Sequence, residues 1–192
     1  MRDWASFWHS VVAAFGRATA DASEASGAEE ALWCFTKTIP EVLGDREAHL
    51  KPGNLLEGEK HQFACGAFVV TPDRKSHMIF APVNYGPTQR HQKVDITLGH
   101  PAWVAQNQKP LLLENTAQHA SFVKILQTFR AGSVVYGPLM WKKQFLGQII
   151  CASQARNVFS APDLEAHVAF SNAAAIAWVA HGGPDLIKKM AG

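Results

Sequence analysis

Cysteine is scarce in this chain. Only Cys34, Cys65 and Cys151 occur in 192 residues, at spacings that fit no zinc-binding or redox motif. Cys34 stands among Leu32, Trp33 and Phe35, Cys65 opens an apolar stretch, and Cys151 follows Ile149-Ile150. All three read as buried, unreactive thiols. A strong charge of one sign is also missing. The formal net charge is +2, and the adjacent basic pairs Arg74-Lys75, Lys142-Lys143 and Lys188-Lys189 fall in turns or near the end. That pattern argues against direct nucleic-acid binding. No apolar run is long enough to span a membrane. The first residues lead into an amphipathic pattern with no apolar core or cleavage site of a signal peptide, so a cytoplasmic location is expected. Catalytic signatures are absent too: no Ser-His-Asp order, paired acids or glycine-rich phosphate loop. There are no internal repeats and no low-complexity tract.

What is present is a globular composition, 47% hydrophobic and 18% charged, of a size suited to one domain. Trp4, Phe7, Trp8, Val11, Val12 and Phe15 recur at helical spacing and predict a helix from Asp3 to about Thr19. A small, polar linker follows. A second helix is expected over Ala28–Leu43, bent or ended near Pro40, and residues 44–60 read as loop with a possible turn of helix. Strands are predicted at His61–Thr71 and His77–Asn84, with a third at Lys93–Leu98. Pro101–Gln106 reads as a short helix and Pro110–Glu114 as a strand. Phe122, Ile125, Leu126 and Phe129 give Ser121–Phe129 helical spacing. The order predicts an α+β fold: an antiparallel sheet with long helices on one face and short helices and loops on the other.

The stretch Ser133–Asp163 is the most specific. SVVYGPLMW and FLGQIICAS flank Lys142-Lys143, which predicts a β-hairpin. A loop then reaches Phe159, Ser160 and Pro162-Asp163, where Ser160 can cap and Pro162 can begin a helix running to about Ala180. This hairpin, followed by F-S-x-P-D and a long helix, resembles the closing part of GAF domains, a family of small-molecule sensors. His100–Thr116 (HPAWVAQNQKPLLLENT) and Cys65–Pro82 (CGAFVVTPDRKSHMIFAP) resemble two further blocks of the pattern. The resemblance covers roughly residues 27–181, leaving 1–22 as an N-terminal amphipathic helix and 182–192 as a C-terminal tail.

The resemblance implies a ligand pocket on the sheet face away from the long helices. Its walls would be the second and third strands, the Pro101–Gln106 helix, residues 115–129 and the strand from Ser133. The polar and aromatic residues it brings near that pocket are Tyr85, His91, Asp95, His100, Trp103, Asn115, His119, Arg130, Ser133 and Tyr136. A tryptophan on an apolar helix, as Trp103 is, is more often a core residue than a ligand platform, and Asp95 with Arg130 also reads as a surface pair. His91, His100 and His119 raise the possibility of a metal or haem, but their dispersed spacing assigns no metal ligands and no cofactor. Phe159 and Asp163 keep part of the pattern of cyclic-nucleotide GAF domains. Ser153-Gln154 and Leu164 depart from it, which disfavours that ligand. Asp95-Ile96-Thr97 is only a faint echo of the bilin-binding segment, with no cysteine nearby for a thioether.

The expectation is therefore a regulatory sensor in signal transduction that binds an unidentified small molecule and has no catalytic residues. It would act through a partner protein or through a homodimer formed by the N-terminal and long helices. Two alternatives stay open: a GAF-fold enzyme of the free methionine-R-sulfoxide reductase type using Cys65 or Cys151, and a ligand-free dimerising interaction module.

Overall fold

The computed structural model describes residues 2–191; Met1 and Gly192, the outermost residues of the two predicted terminal segments, lie outside it. Six strands form one antiparallel sheet in the order β3-β2-β1-β6-β5-β4. They are β1 (Phe63–Val70), β2 (Ser76–Val83), β3 (Lys93–Asp95), β4 (Leu111–Leu113), β5 (Ser133–Trp141) and β6 (Gln144–Ser153). The central strands β1, β6 and β5 are buried on both faces, which explains their nearly unbroken apolar sequence. Lys142 and Lys143 turn the β5–β6 hairpin, both with positive φ (46° and 63°), as a two-residue loop between twisted strands requires.

Helices α1 (Trp4–Ser23), α2 (Ala28–Val42) and α4 (Ala161–Ala180) cover one face. The Asp3 carboxylate caps α1 by accepting from the backbone N–H groups of Ala5 and Ser6. Pro40 sits in the last turn of α2, so the helix ends within two residues of it. Phe35, Ile39, Phe170 and Trp178 are fully buried against the sheet. On α4, the buried His167 shares its Nε2 with the carbonyl of Ile149 on β6 (2.9 Å). Gly137 on β5 allows this close approach, since a Cβ there would overlap Ser171 and His167.

The opposite face is covered by α3 (Gly99–Asn107) and by loops over residues 115–131. Two expectations need correction. Ser121–Phe129 is not helical but turns and loop. Leu126 and Phe129 are buried as their spacing suggests, yet the backbone there is satisfied from outside. The Gln89 side chain accepts from Gln127 N–H and donates to the Ile125 carbonyl, and Thr128 donates to the Asn84 carbonyl. A nine-residue segment gains little from helix formation alone, so these tertiary bonds win. The C-terminal tail is likewise ordered, as helix α5 (Gly183–Ala191). Its buried Ile187 anchors it to the core, with Asp185 in its first turn and Lys188-Lys189 in its last, matching the helix dipole. Smaller differences follow the same logic. The strand expected over Lys93–Leu98 stops at Asp95, because the Asp95 carboxylate turns back to accept from Thr97. No helix among the described residues is long and apolar enough to cross a membrane.

Candidate ligand site

The face away from α1, α2 and α4 holds an apolar recess under the 115–131 loops. Phe68 of β1, Val134 and Tyr136 of β5 and Ile150 of β6 make the floor; Tyr85, Phe122 and Leu126 make the roof and side. The floor thus includes β5, the expected strand from Ser133, but takes β1 and β6 in place of the second and third strands. Gly66 explains how the Tyr85 ring lies against the sheet: a Cβ there would stand 3.3 Å from it. The cavity measures about 40 Å³, little more than one water molecule's share of liquid. A larger concavity, about 620 Å³, lies beside Arg2, Asp45 and Lys51. Two of its charge pairs are closed, Lys51 with Asp45 and Arg2 with Asp163, while Glu41, Arg46 and Glu47 on its wall take part in no ion pair among the described residues. This mixed, charged wall lacks the apolar lining of a small-molecule site.

The predicted residues divide into three groups. Tyr85 and Tyr136 line the cavity. Burial pushes both phenols well above their ordinary pKa, so they stay neutral. His100 and Arg130 flank Phe122 at its rim, and His119 stands behind His100. The His100 ring centroid is 5.5 Å from that of His119 and 5.8 Å from that of Phe122, and the Arg130 guanidinium stands 5.6 Å over the Phe122 ring. Burial, and then the neighbouring His119, hold His100 below the usual imidazole pKa.

The remaining five lie elsewhere or have other work. His91 faces the long helices, where its Nε2 is 2.9 Å from Glu29 of α2. It therefore stands apart from His100 and His119. Asp95 is exposed and bonds Thr97, without pairing to Arg130. Trp103 projects from α3 at 40% exposure. Asn115 caps the short 3-10 turn that follows it, accepting from Ala117 N–H. Buried Ser133 donates to the Leu113 carbonyl and accepts from Phe159 N–H. Among the described residues no three His, Cys, Asp or Glu side chains come together as metal ligands do.

Sequence reasoning missed the residues that hold the roof in place. Buried Gln89 accepts from Gly86 N–H and Gln127 N–H and donates to Ile125. Its neighbours Arg90 and His91 both bond Glu29 of α2. Burial alone would raise the Glu29 pKa, but the hydrogen bonds from Arg90 and His91 bring it below the ordinary glutamate value. A polar residue directly beside an Arg-His pair was the available signal. Also missed was the buried pair His77 and Gln148, facing this side of the sheet. Gln148 Nε2 donates to the Pro101 carbonyl at the start of α3 (3.0 Å) and lies 3.3 Å from His77 Nε2. Burial lowers the His77 pKa to about 4.

The sequence profile of the GAF domain matches residues 12–178. The chain belongs to the GAF family. Solved GAF structures share the fold at low identity. The GAF domain of a phosphoenolpyruvate-protein phosphotransferase from Coxiella burnetii superposes with a TM-score of 0.72 at 16% identity, covering 92% of this chain and 96% of that one. The corresponding Acinetobacter domain gives 0.70 at 12% identity, covering 88% and 92%. Free methionine-R-sulfoxide reductase from Neisseria meningitidis, in complex with its substrate, gives 0.69 at 10% identity, covering 100% and 96%. No curated protein sequence matches the chain significantly.

Within this GAF domain, the Phe159–Asp163 segment builds the frame. Asp163 is fully buried. It accepts from Gly44 N–H (2.7 Å) and the Ser160 hydroxyl (2.7 Å), and both its oxygens accept from Arg2 Nη1 (2.9 and 2.8 Å). The three cysteines lie away from the cavity. Cys65 and Cys151 face each other across β1 and β6 in the core beneath the long helices, and Cys34 is on α2.

Proposed function

We propose that this chain is a regulatory GAF sensor that binds a small, largely apolar molecule between the sheet and the 115–131 loops. The observation that carries this reading is the cavity itself: apolar walls, two neutral phenols, and a roof that over residues 121–131 is turns and loop pinned mainly by one buried glutamine. Ligand sites combine mostly apolar walls with few polar groups. A space of about 40 Å³ admits a ligand only if the roof shifts, and roof movement gives binding a way to be felt elsewhere. Gln89 joins the roof to the Tyr85–Gln92 loop, and Arg90 and His91 join that loop to Glu29 of α2. The signal would thus pass from the cavity around the sheet edge to the helical layer.

The output surface would be the helical layer, acting in a homodimer. Trp4, Trp8 and Val12 remain exposed on α1 (42%, 36% and 67%). Helical spacing places them on one uncharged stripe with Phe15 and Thr19, which line an apolar groove of about 360 Å³ between α1 and α4. Ridge and groove on the same face suit a self-complementary contact with a second copy. A sulfoxide-reductase activity is not favoured. Burial and the neighbouring Cys151 push the Cys65 thiol well above its ordinary pKa, whereas such chemistry needs an accessible thiolate.

Native mass spectrometry of freshly purified protein tests both parts. The expected result is a dimer carrying a small organic molecule. A bare monomer that binds nothing from a metabolite mixture would contradict the proposal.

A further inference from the structure

The cavity's rim has an electrostatic character that its walls lack. Residues 96–132, which cover the site, contain Lys109, Lys124 and Arg130 against a single acid, Glu114. This segment alone accounts for the chain's net charge of +2. His100 and Arg130 each stand against Phe122, the ring that closes the cavity, and His119 stands against His100. Among the described residues, none of these three takes part in an ion pair. His100 Nδ1 is sealed from water yet has no hydrogen-bond partner. A buried polar atom left unpaired costs on the order of 1–3 kcal/mol, so a partner supplied by a ligand would be favourable.

We infer that the ligand is a small carboxylic acid with an apolar or aromatic body. The body would enter beside Phe68 and Ile150, and its carboxylate would be held at the rim by Arg130, His100 and His119. This rests on the proposed use of the cavity and adds the ligand's chemical class. The Arg130 guanidinium is the kind of donor that carboxylates bind most strongly, and an imidazole N–H adds a neutral donor beside it. At a partly dry rim, a full negative charge gains more from them than a neutral amide of the same shape. A benzene ring fits a cavity of roughly 150 Å³, so Phe122 and Val123 must move outward on binding.

Calorimetric titration of the full chain with benzoate and with its neutral counterpart benzamide tests this. Benzoate is expected to bind at least about tenfold more tightly. Raising the salt from about 50 to 500 mM should weaken benzoate several-fold and leave benzamide unchanged. Arg130 is exposed, so Arg130→Gln should fold normally. Combined with His119→Gln, it should bring benzoate down to the affinity of benzamide without altering benzamide. If the two ligands bind equally, or benzamide binds better, the carboxylate inference is overturned while the cavity remains a binding site. If neither binds, the proposed use of the cavity falls, and the inference with it.

Discussion

Two buried histidines contribute to the pH response of this chain. His77 and His167 are fully buried, and burial lowers each pKa from 6.5 to about 4. Both are neutral in the folded state at pH 7, while the unfolded chain takes up their protons near pH 6.5. Stability is therefore complete above about pH 6.5 and declines as the pH falls toward 4, by about 3 kcal/mol per histidine at the limit. Urea midpoints at pH 7, 5.5 and 4.5 should fall accordingly, and His167→Gln should flatten the decline. Asp163 makes a different demand. With four donors around one buried carboxylate, Asp163→Ala should cost about 3 kcal/mol or more in denaturant unfolding, because it strands Arg2 and the Gly44 N–H together. The helix start was legible in the sequence, with Ser160 as its cap and Pro162 in its first turn, but the burial of Asp163 and its bonds to Arg2 and Gly44 were not. His77 and Gln148 were not: a lone polar residue inside an apolar strand does not reveal which atom of a distant helix it will meet.

At the level of elements, sequence and structure part company where tertiary bonds decide. The strands and long helices were readable because their apolar periodicity reflects burial on a sheet or a helix face, which is a local property. Segment 121–129 carries the same periodicity, yet Gln89, some 38 residues away, takes the place of its internal hydrogen bonds. Gln89 is accordingly the latch of the roof. Gln89→Ala should leave the N–H groups of Gly86 and Gln127 unpaired and speed their hydrogen exchange by about tenfold or more. Exchange in β1 and β6 should not change. If the roof amides keep their protection, the latch assignment is wrong. Glu29→Gln weakens the link to α2 without touching the roof, so it should leave those amides unchanged while altering exchange near Arg90.

For the whole molecule, the resemblance read from residues 27–181 overlaps a family match over residues 12–178, which begins within α1, and a shared fold. The ten candidate site residues came from the order of the elements, which places whole segments but not single side chains. Hence His91 points to α2, while the cavity is walled largely by Phe68, Phe122, Leu126 and Ile150, whose apolar side chains look like any core residue in sequence. The helical layer carries its own prediction. Trp8→Glu with Val12→Glu should convert a dimer to a monomer in analytical ultracentrifugation while leaving the thermal midpoint of the monomer nearly unchanged. The central claim is that the cavity beneath residues 115–131 receives a small molecule. Methyl NMR during a benzoate titration tests it most directly. The expected result is saturable shifts of Ile150, Val134 and Leu126, with Leu32 and Ile39 of the helical core unmoved. Shifts confined to the α1–α4 groove, or none at all, would contradict it.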